Sequence, residues 1–211
     1  MWSTTFMVPG VRIFSRFHVA GLENLSGAGP FIFAANHTSH LDTPFTLAAL
    51  PATLRNRTVV AAAMDTFFLS FPKAVITTAV FNSIPIDRHK INRRSGDQAI
   101  DLIQKGWNLL IYPEGGRTTT GDLMEFKAGA AFMAERSSAT VVPVFIDNIG
   151  AVAGRTYAKA ERFISRPATR RPPVSISFGA PLRHLEGENL RRFNDRIRLG
   201  VDELATGSRT N

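Results

Sequence analysis

The sequence predicts an α/β fold: a single layered domain with a mixed, largely parallel central sheet flanked by helices. Three observations predict it. Short runs of apolar and β-branched residues recur along the chain, and the stretches between them carry helical spacing of apolar positions. The two stretches richest in chemistry-bearing residues each follow directly on one of those runs. With 211 residues and 44% apolar composition, the chain can bury a substantial core as one unit over residues 1–211.

Phe31 to Ala35 reads as a buried strand ending at Asn36-His37. A helix is expected from about Leu41 to Leu50, stopped by Pro51. Thr58 to Ala63 and Ser83 to Asp87 are further strands. Ser95 is a suitable N-cap for a helix running to Lys105, with Gly106 as its stop and Ala99, Ile100, Leu102 and Ile103 on its apolar face. Asn108 to Tyr112 is a strand that delivers Pro113-Glu114-Gly115-Gly116-Arg117. Lys127 to Glu135 reads as a helix, and Thr140 to Ile146 as a buried strand in which Pro143 implies an edge or a bulge. Val174 to Phe178 alternates as a half-buried strand does, and an amphipathic helix covers about Glu188 to Leu204. There is no internal repeat.

His37 and Asp42 form the first chemical constellation. Residues five apart on a regular helix point about 140° away from each other. A working pair therefore needs His37 in the turn before the helix and Asp42 in its first turn. Asp42 can then accept from one imidazole nitrogen and leave the other to take a proton. A purely structural reading fits too, because Ser39-x-x-Asp42 has the form of a capping box. His37, His40 and Asp42 also allow a metal site, although no further acid or histidine is placed to complete it. His18, His89 and His184 stand alone and read as structural or exposed.

The second constellation is Glu114-Gly115-Gly116-Arg117-Thr118. The glycines let backbone N–H groups approach an anion, and Arg117 adds a planar fork suited to phosphate. Glu114 either binds a ligand hydroxyl or holds Arg117. Arg88 is either a second phosphate cation or a partner of Asp87, and Lys127 carries the same ambiguity.

These blocks carry a resemblance. Asn36-His37-x-Ser39-x-x-Asp42, Ile84-Pro85-Ile86-Asp87-Arg88, Tyr112-Pro113-Glu114-Gly115-Gly116-Arg117-Thr118, Phe126-Lys127-x-Gly129 and Val142-Pro143-Val144 stand in an order that resembles the glycerol-phosphate and lysophosphatidate acyltransferases. The resemblance runs from about Phe17 to Leu182. It implies that His37 and Asp42 are catalytic and that Glu114, Gly115, Gly116, Arg117 and Thr118, with Arg88, bind the acceptor's phosphate. It also implies that Val142, Pro143 and Val144 shape the acyl site, with Lys127 as an accessory residue. In that family threonine usually stands where Gly116 is, and serine where Thr118 is.

The expected activity is transfer of a fatty acyl group from acyl-CoA or acyl-carrier protein to a lysophospholipid or glycerol phosphate, with lysophosphatidate as first choice. No metal or organic cofactor is implied. An acyl-thioester hydrolase and a non-catalytic lipid-binding membrane module are the alternatives. The formal charge of +8, with seven Lys/Arg against Glu161 between Arg155 and Arg183, suits an anionic membrane surface. No zinc-finger spacing, aromatic RNA-binding strand or helix-turn-helix pattern points to nucleic acid. The absence of cysteine excludes disulfides and thiolate metal sites. Neither a signal peptide nor a clear transmembrane helix is legible. The apolar stretch from Thr66 to Ile86 is broken by Pro72, Lys73, Asn82 and Pro85. The expected location is the cytoplasmic side of a membrane, peripheral or monotopic.

Overall fold

The computed structural model describes residues 8–13, 15–27, 29–64, 78, 81–86, 93–118, 122–153 and 171–209. Arg88, His89, Asp87 and most of the apolar stretch from Thr66 lie outside them, as does the basic run through residues 154–170.

Seven strands form one sheet: β1 (Arg16–Ala20), β2 (Phe31–Ala35), β3 (Thr58–Ala63), β4 (Ser83–Ile86), β5 (Asn108–Ile111), β6 (Thr140–Asp147) and β7 (Pro173–Phe178). Their order is β1-β7-β6-β2-β5-β3-β4. Every neighbouring pair is parallel except β6 with β7. Besides the helical residues 8–13, the elements include α1 (Asp42–Ala49), α2 (Ala52–Arg55), α3 (Arg93–Gln104), α4 (Gly129–Ser137), α5 (Gly150–Ala153) and α6 (Leu190–Arg209).

The central strands are buried on both faces, so their side chains sort alternately into two cores. Ile32, Ala34, Leu109, Ile111, Val141 and Phe145 join residues of α3, α4 and α6 on one side. Phe31, Phe33, Ala35, Leu110, Val142, Val144 and Ile146 join Phe45, Leu47 and Leu50 of the α1 region on the other. α3, α4 and α6 thus cover one face, while α1 shares the other with Leu54 of α2, Val152 of α5 and Val11 of the helical residues 8–13.

Several element ends differ from expectation for local reasons. The third helix is described from Arg93, so Ser95 lies inside it and is not its cap. Gly106 does end it, in the left-handed conformation. The fourth begins at Gly129, not Lys127, whose backbone N–H donates to Pro113 O at 2.9 Å. The last begins at Leu190, because Asn189 Oδ1 accepts the Arg192 N–H at 2.9 Å, and it continues to Arg209.

Pro143 sits in an interior strand and not at an edge. Its missing N–H falls where β7 departs from β6. Val144 pairs with Phe178, and the next bridge is Val141 with Leu182. Two residues, Val142 and Pro143, therefore lie opposite three, Gly179 to Pro181. That extra residue is a bulge, and it removes the need for a donor at Pro143.

Topology places the two motifs side by side. The strand after β2 is β3, which lies beyond β5, while the strand after β5 is β6, which lies beyond β2. The connections leave in opposite directions, and such a switch point at the carboxyl ends of parallel strands is where ligands gather in open α/β sheets.

Candidate active site

β2 ends in a loop that is stitched to both neighbouring strands. Asn36 continues the ladder with its side chain: Nδ2 donates to Ile146 O at 3.0 Å, and Oδ1 accepts the Ile146 N–H at 2.7 Å. On the other side the His37 N–H donates to Glu114 Oε1 at 2.7 Å, and the Thr118 N–H donates to His37 O at 2.9 Å. The turn after β5 is therefore tied to the main chain of His37 at two points.

The imidazole is fixed by Asp42. His37 Nδ1 lies 2.8 Å from Asp42 Oδ2. That same oxygen accepts the Thr38 N–H at 2.7 Å and the Ser39 N–H at 2.8 Å. Asp42 is the first residue of α1 and has no exposed surface. A carboxylate there is favoured by the positive end of the helix dipole. Asp42 thus caps the turn and orients the histidine with one group. Ser39 completes only part of the capping box, since its Oγ accepts the Leu41 N–H at 3.2 Å. The three donors on Oδ2 leave little of it for a metal shared with His37 and His40.

The ring also has a neighbour on its face. Tyr112, directly after β5, stacks on His37 with centroids 4.2 Å apart and planes 19° from parallel. Its hydroxyl meets Thr43 Oγ1 at 3.0 Å. Burial of that hydroxyl, with the Asp42 charge behind it, pushes the Tyr112 phenol far above its ordinary range.

Glu114 faces inward, at 3% exposed. Its second oxygen accepts the Met124 N–H at 3.0 Å. Its carboxylate thus accepts from two backbone donors, those of His37 and Met124. Burial raises its pKa, against the pull of those two N–H groups. Gly115 has φ +67°, a conformation that glycine adopts without strain, and Lys127 lies over it: a methyl group at Gly115 would come within 2.8 Å of Lys127 Nζ. Gly116 opens on free space and Arg117 is exposed, while Thr118 is buried. His40 is exposed at the rim. Partial burial, then the Arg117 guanidinium and the His37 ring, hold it below the usual imidazole range.

The loop with His37 and Asp42 and the turn with Glu114 to Thr118 therefore converge at one place. Val142 and Val144 do not open on it: both are fully buried in the core behind β2. Pro143 packs toward α6, where a methyl group at Gly200 would lie 2.7 Å from its Cγ. Sequence reasoning left Asn36, Tyr112 and Met124 without a role. A polar residue at the exit of an apolar strand was the available signal for the first two. Met124 contributes only its backbone, which no sequence pattern marks.

A family model described as Acyltransferase matches residues 16–147. The chloroplastic 1-acyl-sn-glycerol-3-phosphate acyltransferase LPAT1 of Arabidopsis thaliana is 27% identical over 157 residues, covering 72% of this chain and 40% of that protein. The human 1-acyl-sn-glycerol-3-phosphate acyltransferase beta is 31% identical over 139 residues, covering 61% of this chain and 45% of that one. This chain thus spans less than half the length of these relatives. The crystal structure of the 1-acyl-sn-glycerophosphate acyltransferase PlsC from Thermotoga maritima superposes with a TM-score of 0.66 over 96% of this chain and 78% of that one. At 21% identity this likeness speaks for the fold alone.

Proposed function

Because this chain belongs to the acyltransferase family, we propose that it transfers a fatty acyl group from a thioester, acyl-CoA or acyl-carrier protein, to the hydroxyl of a lysophospholipid or glycerol phosphate. Lysophosphatidate is the preferred acceptor, a choice supported by the names of the curated relatives. The observation that carries the reading is the 2.8 Å contact between His37 Nδ1 and Asp42, made beside a glycine turn that bears an exposed arginine.

Asp42 occupies Nδ1, so Nε2 is the nitrogen that takes the acceptor's proton. The freed oxygen attacks the thioester carbonyl, and the tetrahedral intermediate collapses with loss of the thiolate. The thiolate then takes the proton from the imidazolium, which Asp42 stabilises until that moment. No acyl-enzyme forms and no cofactor is called upon. Arg117 binds the acceptor phosphate, with Arg88 as a second cation and Lys127 as an accessory one beside Gly115. Binding energy spent on the phosphate orients a hydroxyl several bonds away. Glu114 contributes by holding the main chain of His37, and Val142 to Val144 by shaping the sheet behind the site. The protein meets an anionic bilayer peripherally, from the cytoplasmic side.

The test is incubation with labelled acyl-CoA and a panel of lysophospholipids, with products identified by lipid mass. Esterified phosphatidate is the expected product, whereas free fatty acid alone would replace transfer by hydrolysis. His37→Ala is expected to lower turnover by ~10²–10⁴-fold with acceptor binding kept. Arg117→Ala is expected to raise the acceptor KM far more than it lowers kcat. An unchanged response to acceptor concentration would remove Arg117 from the phosphate site.

A further inference from the structure

His37 is held on three sides. Glu114 fixes its main chain and Asp42 the edge of its ring. The third contact, with Tyr112, covers a face. The geometry points to Tyr112 as a positioning residue for the base, an aromatic floor that keeps the imidazole in one plane and stabilises it once it carries the extra proton. This assignment rests on the proposed role of His37.

One hydrogen bond at Nδ1 leaves the ring free to rock about the Nδ1–Oδ2 line. A stacked ring with its centroid 4.2 Å away, tilted by 19°, blocks that motion. The floor is itself fixed. Its backbone follows β5 directly, and its hydroxyl is tied to Thr43 in the first turn of α1, the turn that carries Asp42. The base, its carboxylate and its floor therefore move as one body.

The contact is also selective for the charged ring. An aromatic face is electronegative and attracts a cation over it more strongly than a neutral imidazole. It therefore favours the proton-carrying state formed during transfer, which is the condition for lowering a barrier. Tyr112 does not itself exchange protons, because its buried phenol holds its proton far above the ordinary range. The other ionisable groups at the ring are Asp42 at Nδ1, Glu114 on the main chain, and His40, which also faces Arg117. Asp42, Glu114, His40 and Arg117 all remain in the variants that follow.

The experiment compares Tyr112→Leu, Tyr112→Phe and Thr43→Val in the full chain. For Tyr112→Leu the expected kcat is ~10-fold lower at unchanged acceptor KM. The acid limb of its pH–kcat profile is expected to move to lower pH by about half a unit, the size of an exposed to half-buried cation–π contact. Tyr112→Phe keeps the aromatic face and Thr43→Val keeps the whole ring, so each should retain the acid limb and lose about threefold or less in kcat. A second readout needs no turnover: the pH dependence of His37 carbethoxylation by diethyl pyrocarbonate, located by peptide mass. It should shift to lower pH in the leucine variant and stay in place in the phenylalanine variant. If the leucine variant keeps the wild-type acid limb and modification profile, Tyr112 is packing alone. If the wild type transfers no acyl group but the modification profile shifts as expected, the stacking assignment stands and the transferase reading falls.

Discussion

Glu114 shows how far a residue's surroundings can redirect it. An acid beside Gly-Gly-Arg suggests a ligand contact, yet both its oxygens are taken by main-chain donors from His37 and Met124. Those partners are backbone groups that every residue type offers, so no pattern in the sequence could announce them. Glu114→Ala leaves two N–H groups without an acceptor, at ~1–3 kcal/mol each, and should lower kcat while the acceptor KM holds. Steady-state kinetics with a thermal melt separates this from a ligand role, which would raise KM. The pH dependence has a definite sign. Burial raises the Glu114 pKa, so the folded chain takes up this proton at a pH where the unfolded chain has not. Its contribution to stability is therefore greatest at low pH and is lost as pH rises through the raised value. Just above the ordinary carboxylate range, acidification should stabilise the wild type relative to Glu114→Gln. Transfer should fall over the same window, because a protonated acid keeps only one good acceptor for two donors. Parallel melts and rates across that window check it. The pairing of His37 with Asp42 was legible, by contrast, because a turn before a helix brings those two positions together whatever the rest of the chain does.

Strands and helices with a buried face were legible from periodicity, and the elements without one were not. β1 (Arg16–Ala20) alternates between exposed and half-buried positions with no buried residue, so its hydropathy carries little strand signal. α2 and the 3-10 turn at Leu22–Leu25 are too short for a helical period to register. The position of Pro143 was half legible: proline does demand relief from the ladder, but the bulge that supplies it lies in a distant partner segment, Gly179 to Pro181. That proline also sets how closely α6 can pack. Gly200 has no side chain, and a methyl group there would lie 2.7 Å from Pro143 Cγ and 3.2 Å from its Cβ. The proline ring cannot rotate aside. Gly200→Val should therefore lift α6 from the sheet and cost ~1–3 kcal/mol, a fall of several degrees in Tm by calorimetry. A Tm unchanged from the wild type would mean that the helix is not docked there.

At the scale of the whole molecule, the strand order could not be read from the chain, because parallel neighbours are chosen by packing between distant segments. Only the class of sheet and the siting of both motifs after strands were legible, and the switch point turns those two facts into a shared site. The charge of +8 acts at this scale too. Part of it stands on α6, where Arg191, Arg192 and Arg198 are exposed. Cosedimentation should show binding to vesicles rich in anionic lipid at low salt, and its loss by about 0.5 M salt, where screening shortens to a few ångströms. Equal binding to zwitterionic vesicles would assign the contact to apolar residues instead. The tie between Glu114 and His37 spans 77 positions of the chain. A nascent or clipped polypeptide that stops short of the second loop owns the reactive imidazole without its seat. The seat of that ring therefore forms only once both loops have been made.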